Sequence, residues 1–300
     1  MIVYFIQAHQ HERQVLYLVE ILLSCPQSFV MVSFDSRLPD LLRLDRPNYM
    51  ARASAQQVHR GDFSMVAEYL GALRWLKEMG VNYDWFVNLS GQCLPVKPVA
   101  AIAEEIAACG FDAVMQHFPM LSPESDWSEA ECATRLHYRY RKLIDRPLSK
   151  FERGALAPAR LVNRVQPWLR INTSFGLQLG TRTRLPPGLK FFGGSYFKYL
   201  SRVCGEYLLE FLARHPAISD YFQHSLVPDE MFAQTILLNH SFRVSGDCKM
   251  FFRFTGGRGG HPLDLEVADL DHTAGFHFAR KFRFGSPGYQ AALGRLSTSA

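Results

Sequence analysis

The chain has 300 residues, 48% of them apolar and 20% charged, and a formal net charge of +5. That balance belongs to a folded globular protein rather than a disordered or collagen-like one, and a core of this size needs no disulfide or metal staple. The six cysteines are scattered and form no C-x-x-C pair, which leaves a zinc ribbon or thioredoxin-type centre unsupported and buried free thiols the simpler reading.

Ile2-Val3-Tyr4-Phe5-Ile6 is β-branched and aromatic, the pattern of a buried strand. A helix is predicted from about Arg13 to Ser24, with Val15, Leu16, Val19, Leu22 and Leu23 as its apolar stripe, then a strand from Phe29 to Phe34 that ends at Asp35. This β-helix-β order implies a parallel pair with a right-handed crossover. Ligands of open α/β sheets bind beyond the carboxyl ends of strands, where Gln7, Ala8, His9 and Asp35 fall. No G-x-G-x-x-G follows the first strand, so a dinucleotide site is not indicated. Asp62 or Ser64 is suited to cap a helix reaching Met79. Trp85–Asn88 reads as a third strand, Leu89–Pro95 as a tight polar turn, Pro98–Ala108 as a helix and Asp112–Met115 as a short strand. The alternation predicts an α/β protein with a doubly wound, mostly parallel sheet.

Residues 117–190 are longer than an ordinary connection. Between Arg135 and Lys190 there are thirteen Lys or Arg against two acids, Asp145 and Glu152, a net of +11 that leaves −6 for the remainder. Trp127, Tyr138, Tyr140, Phe151, Trp168 and Phe175 are interleaved with them. A basic helical insertion is expected here, either a solvated or acceptor-facing element or a surface for a polyanion or an anionic membrane. No nucleic-acid motif accompanies it, so no nucleic-acid partner is expected.

Lys190–Phe197 marks the return to the sheet, and Ser201–Arg214 reads as a helix. Val227–Asn239 reads as another, with Pro228 at the first helical position and Asp229 and Glu230 in the first turn. Phe232, Ala233, Ile236 and Leu237 form its buried face. Glu230 is thereby a carboxylate on a rigid element beside an apolar interior, which suits a general base; equally, both acids serve only to stabilise a helix start. Lys249–Thr255 alternates like a strand. Gly256–Gly260 is a permissive loop, with or without a ligand, and Pro262–Asp269 leads into a short helix. Phe276–Phe284 closes a single domain spanning 1–284, with Arg280, Lys281 and Arg283 as a basic run. Residues 285–300 are small and polar, and a loose tail is expected.

Several short stretches, taken in order, resemble one family, the core-2/I-branching β-1,6-N-acetylglucosaminyltransferases and the related peptide O-xylosyltransferases. They are Ala8-His9-Gln10-His11, Phe34-Asp35-Ser36-Arg37, Asn88-Leu89-Ser90-Gly91-Gln92-Cys93-Leu94-Pro95, Phe192-Gly193-Gly194-Ser195, Val227-Pro228-Asp229-Glu230, His261-Pro262 and Phe278-Ala279-Arg280-Lys281-Phe282. The span from Phe118 to Leu189 matches poorly.

The resemblance implies a GT-A-like fold and inverting transfer of a sugar, GlcNAc or xylose, from a UDP-sugar to a hydroxyl of a carbohydrate, glycolipid or protein. It implies no divalent metal and no other cofactor. It makes Glu230 the catalytic base and places Lys281 at the donor diphosphate and Asp35 at the nucleotide. His9, Arg258 and Arg280 join the expected donor site; Ser90, Gly91, Gln92, Gly194, Ser195 and Asp229 form the expected acceptor or sugar pocket. The chain departs from the pattern in two places. No basic residue follows His261-Pro262 closely, so Arg258 or Arg280 must stand in, and His59 occupies a position where many relatives have Trp. Asp264-Leu265-Glu266 and Asp269-Leu270-Asp271 read as helix-start acids rather than metal ligands, and His9, His11 and His59 lack zinc spacing.

No run is long and apolar enough to span a bilayer, and no basic leader with a cleavage site precedes Ile2. A cytoplasmic enzyme is expected, with contact at the inner face of a membrane as an open possibility. The competing class is a non-catalytic module that binds a polyanion or a membrane surface through 135–190.

Overall fold

A computed structural model of the chain describes residues 1–256 and 261–298. The first half follows the sequence pattern closely: β1 (Ile2–Ala8), α1 (Glu12–Leu23), β2 (Ser28–Phe34), β3 (Tyr49–Ala53), α2 (Ser64–Glu78), β4 (Trp85–Ser90), β5 (Leu94–Pro95), α3 (Val99–Ala107) and β6 (Ala113–Met115). The strand β3 was not predicted, because Tyr49-Met50-Ala51-Arg52-Ala53 contains no β-branched residue. It is recruited by pairing along β2, from Val30 opposite Tyr49 to Phe34 opposite Ala53.

The middle of the chain holds β7 (Phe118–Pro119), α4 (Glu129–Leu136), β8 (Tyr138–Ile144), α5 (Lys150–Ala155), α6 (Val162–Val165), β9 (Leu169–Asn172) and β10 (Leu177–Arg182). The expected helical insertion is therefore mixed: its helices flank a three-stranded antiparallel sheet in the order β8-β10-β9. Tyr138-Arg139-Tyr140-Arg141 alternates with the period of a strand, and both tyrosines are buried while the arginines face outward. The chain returns through β11 (Phe192–Gly193), β12 (Lys198–Ser201), α7 (Arg202–Arg214), α8 (Pro216–Gln223), α9 (Phe232–Leu238), β13 (Val244–Ser245), β14 (Met250–Phe251), β15 (Phe278–Ala279) and α10 (Pro287–Thr298).

The main sheet has seven strands in the order β13-β6-β12-β4-β1-β2-β3. All run one way except β12, which is antiparallel to both β4 and β6. Helices cover both faces, as the continuous apolar runs of β1 and β2 require. Tyr4, Ile6, Val30, Val32 and Leu89 pack toward α1 and α3. Val3, Phe5, Met31, Phe86 and Leu200 pack toward α2, α7 and α9. Because β12 is reversed, its leading residues meet the carboxyl ends of β1, β2, β4 and β6 at one edge of the sheet.

Two expectations fail at the C-terminal end. The helix expected from Pro228 does not begin there: Pro228–Glu230 is a 3₁₀ turn, and α9 starts at Phe232 after a break at Met231, whose φ is −145°. The tail is not loose over its described length. In α10, Tyr289 and Ala292 are buried against Leu265, Leu270 and Phe282, and Ser286 Oγ accepts the Tyr289 N–H at 3.3 Å. Ala291 and Leu293 pack beside them, so apolar residues spaced through a small, polar run dock it. Among the described residues, no helix is long and apolar enough to cross a membrane.

Candidate active site

The carboxyl edge of the sheet gathers residues from distant parts of the chain. At the end of β1, Gly91 N–H donates to the Gln7 carbonyl at 3.0 Å and Asp35 N–H to the Ala8 carbonyl at 2.8 Å, tying the ends of β4 and β2 to it. A Cβ on Gly91 would lie 2.8 Å from Val15 Cγ2 and 2.9 Å from Ala8 Cβ, so this approach excludes any side chain. Ser90 Oγ lies 3.2 Å from Cys93 Sγ, inside the turn. Gln92 offers its backbone carbonyl to Phe282 N–H at 3.1 Å.

The expected donor residues fall into two groups. His9 feels the charges of Asp35, His11 and Lys281; burial pulls its imidazole below the ordinary range, partly offset by Asp35. Asp35 Oδ1 accepts the Val58 N–H at 3.2 Å, and Lys281 lies 3.7 Å from Asp264 with its side chain about one-third exposed. The second group centres on Arg280. Its guanidinium sits over the Phe197 ring at 5.1 Å, and its buried Nε has no hydrogen-bond partner among the described residues. Burial lowers its pKa, and a nearby cation, Arg60, adds to that effect. Arg60 is exposed over the Phe175 ring at 5.9 Å and has no ion-pair partner among the described residues. Arg258 lies outside the described residues.

Glu230 lies at the same edge. Its side chain is 31% exposed and accepts a hydrogen bond from Arg135 Nη1 at 2.7 Å through Oε2. Arg135 stacks over Trp127, with Cζ 3.7 Å from the ring centroid. The backbone beneath is fixed: Gly194 N–H donates to the Glu230 carbonyl at 2.8 Å. A Cβ on Gly194 would stand 1.9 Å from the Gln116 carbonyl oxygen, so only glycine fits. Ser195 accepts from Gln234 Nε2 at 2.7 Å through its carbonyl, and its Oγ accepts the Phe197 N–H at 3.2 Å. Both contacts anchor this turn, and the Ser195 hydroxyl keeps its own proton to donate.

Beside Glu230 is a buried charged centre. Asp229 is 5% exposed, and its Oδ1 has no hydrogen-bond partner among the described residues. Burial raises its pKa, the charge of Glu230 raises it further, and Lys198 opposes both. Lys198 is 1% exposed; its ammonium donates to the Tyr196 carbonyl at 2.5 Å and lies 3.5 Å from the Asp229 carbonyl. It also sits 5.0 Å from the ring centroids of Tyr69 and Tyr196. Burial pulls its pKa down, against the attraction of Asp229 and Glu230. Its backbone N–H is held by Asn88 Oδ1 at 2.9 Å, and the Tyr196 hydroxyl donates to Gln7 Oε1. A chain of polar contacts thus runs along the strand ends from Gln7 to Asp229.

Three of these residues were not foreseen: Arg135, Lys198 and Arg60. Lys198 did carry a signal, as the one charge in the apolar run Tyr196-Phe197-Lys198-Tyr199-Leu200. Arg135 carried none, being one of thirteen basic residues in its segment. The acids weighed as metal ligands are engaged elsewhere. Asp269 pairs with Arg253 and accepts the Glu266 N–H at 2.9 Å, Asp271 pairs with Arg295 at 2.6 Å, and Asp264 lies between Lys281 and Arg283.

Among solved structures, the chain is similar to a Bacillus anthracis protein described as a glucose-1-phosphate thymidylyltransferase, in complex with sucrose. Identity is 12%, coverage is 74% of this chain and 81% of that one, and the TM-score is 0.33. It is also similar to a 4-diphosphocytidyl-2C-methyl-D-erythritol synthase from Anaerococcus prevotii, at 9% identity over 82% of this chain and 85% of that one, with a TM-score of 0.34. At such scores neither likeness bears on function. A search of curated proteins finds no match. The family model for the core-2/I-branching enzymes matches residues 7–249, which contain every strand of the main sheet except the first five residues of β1, together with Glu230. By that match the chain belongs to the core-2/I-branching enzyme family, and it is a glycosyltransferase.

Proposed function

We propose that the chain transfers a sugar, GlcNAc or xylose, from a UDP-sugar to an acceptor hydroxyl with inversion and without a divalent metal, and that Glu230 is the general base. The observation that carries this reading is the placement of Glu230: a partly exposed carboxylate at the ligand-binding edge of the sheet, held by Arg135 on one side and by a closed backbone turn on the other. An acceptor alcohol is a poor nucleophile until its proton is taken as the new bond forms. Hydrogen bonding to Arg135 occupies Oε2, and no group among the described residues bonds Oε1, the oxygen available to an incoming hydroxyl.

Displacement at the anomeric carbon leaves negative charge on the departing diphosphate. Fixed cations stabilise such charge as it develops, and in this reading Lys281, Arg280 and Arg60 do so. Among the described residues, Arg280 has an unpartnered buried N–H and Arg60 an unpaired guanidinium, both suited to phosphate oxygens. His9 and Asp35 would border the nucleotide. Ser90, Gly91 and Gln92 shape the turn beside it, while Gly194 and Asp229 fix the backbone that bears the base.

The test is release of UDP from UDP-GlcNAc and UDP-xylose, with and without EDTA, by the native chain and by Glu230→Gln. The expected outcome is turnover that survives EDTA and is lost in Glu230→Gln, with the UDP-induced rise in melting temperature retained by that variant. Turnover by Glu230→Gln at the native rate would remove Glu230 from its role. Loss of activity in EDTA that magnesium or manganese restores would overturn the metal-free mechanism.

A further inference from the structure

The small sheet has two unlike edges. β8 lies against the segment leading to Glu230: Tyr140 N–H donates to the His224 carbonyl at 2.7 Å, and Tyr138 and Tyr140 pack on Leu226 and Val227. β9 is the opposite edge, and α6 packs beside it. There Asn163 fixes the orientation of α6, since its side chain both donates to and accepts from the backbone of Ile171, at 2.9 and 2.7 Å. At about 100° per residue, Leu161 and Val165 point away from that contact; they are 55% and 78% exposed.

Trp168 is 67% exposed and Leu169 40%, immediately after α6. Their exposure is built rather than slack. Gln166 Oε1 accepts the N–H groups of Trp168 and Leu169 at 2.6 and 2.8 Å, and its Nε2 donates to the Leu169 and Val162 carbonyls at 2.9 and 3.2 Å. The Tyr138 hydroxyl holds the Pro167 carbonyl at 2.9 Å. The turn therefore presents an indole and a leucine to solvent from a braced frame. Arg160 and Arg164 flank them, exposed and with no carboxylate partner among the described residues, whereas both acids of the segment, Asp145 and Glu152, are already paired with Lys142 and Arg146.

We propose that this outer face, formed by Leu161, Val165, Trp168 and Leu169 with Arg160 and Arg164, docks the enzyme on the surface of an anionic bilayer. The cations meet lipid phosphates, and the indole and aliphatic side chains enter the region between headgroup and acyl chain. A nucleic acid would reward the cations and the indole but leave Leu161 and Val165 in water. Since the active-site segment lies at the other edge of the sheet, docking leaves Glu230 accessible to an acceptor.

The full chain is pelleted with vesicles of phosphatidylcholine alone or with roughly 30% phosphatidylglycerol, at an ionic strength on the order of 0.1 M. The expected result is binding only to the anionic vesicles, weakened by added salt and accompanied by a blue shift of tryptophan emission. Binding falls at least tenfold in Arg160→Glu/Arg164→Glu, and also in Val165→Ser/Trp168→Ser, which leaves the charge unchanged. All four positions are exposed, so the variants should keep the native melting temperature. Glu230→Gln pellets like the native chain, which separates this inference from the proposed chemistry. No binding to anionic vesicles, binding untouched by either variant, or binding to an RNA or heparin probe with none to vesicles would overturn it.

Discussion

Arg135, at the end of α4, donates to the Glu230 carboxylate at 2.7 Å, across 95 residues of sequence. The contact joins the basic insertion to the residue that we assign as base. A carboxylate held by a stacked, planar guanidinium keeps one orientation, and a reaction that must place a proton acceptor within a few tenths of an ångström depends on that. Arg135→Ala is expected to lower kcat by about 10- to 100-fold while changing the donor KM little, measured by UDP release. Arg135→Lys keeps the charge but loses the stacking on Trp127, and it should recover only part of the rate.

The Asp229–Lys198 centre predicts a pH effect with a definite sign. Burial and the charge of Glu230 raise the Asp229 pKa, and Lys198 restrains the rise. Ionised Asp229 attracts the Lys198 ammonium beneath the turn that carries Glu230, so turnover should fall as pH drops through the raised Asp229 value, above the ordinary carboxylate range. Lys198→Met removes the restraint and should move this acid limb to higher pH; Asp229→Asn should remove it. For stability, a raised carboxyl pKa contributes fully below the unfolded value and is lost as pH rises through the folded one. Denaturant unfolding between about pH 4 and 7 should therefore show a smaller decline in Asp229→Asn than in the native chain.

Arg280 and Arg60 are predicted to carry donor affinity. Each ought to lose about tenfold or more in UDP affinity when changed, to Gln and Ala respectively, a difference of about 1.4 kcal/mol per decade. Calorimetric titration with UDP measures it. Unchanged affinity in both variants would place the diphosphate elsewhere.

Val227 adopts a left-handed backbone, with φ 53° and ψ 52°, just before Pro228. For a β-branched residue this conformation is strained by about 1–2 kcal/mol. It is held in place by its N–H bond to the Gly61 carbonyl at 2.9 Å and by packing against Tyr138 and Tyr140. Val227→Gly relieves the strain but frees the turn that sets Glu230. The expected outcome is a stability change within about 1 kcal/mol of the native chain, because lost packing offsets relieved strain, together with a kcat several-fold lower. Thermal unfolding and UDP release check the two halves.

Much of the fold was legible in the chain itself. Ile2–Ile6 and Phe29–Phe34 are apolar on both faces because helices cover both, and the helix between them shows its stripe plainly. The placement of His9 and Asp35 at strand ends followed from those two elements alone. The basic insertion was visible as charge and holds the helices expected of it, but its small sheet went unread, although Tyr138-Arg139-Tyr140-Arg141 carried a strand period. The helix expected from Pro228 came from local propensities that the surrounding structure overrode: Val227 is bonded to Gly61, Glu230 to Gly194, and α9 begins only after them.

Local sequence thus determined most elements of the first half, which faces they bury and which residues stand at the ends of β1, β2 and β4. Only the tertiary structure decided which charges meet. Arg135, Lys198, Asp229 and Glu230 come from three separate segments, and their effect on one another arises from low exposure and separations of a few ångströms, where charges act strongly because little water lies between them. No pattern along the chain encodes those distances; they exist because β12 runs against its neighbours and the small sheet packs its tyrosines on Leu226 and Val227.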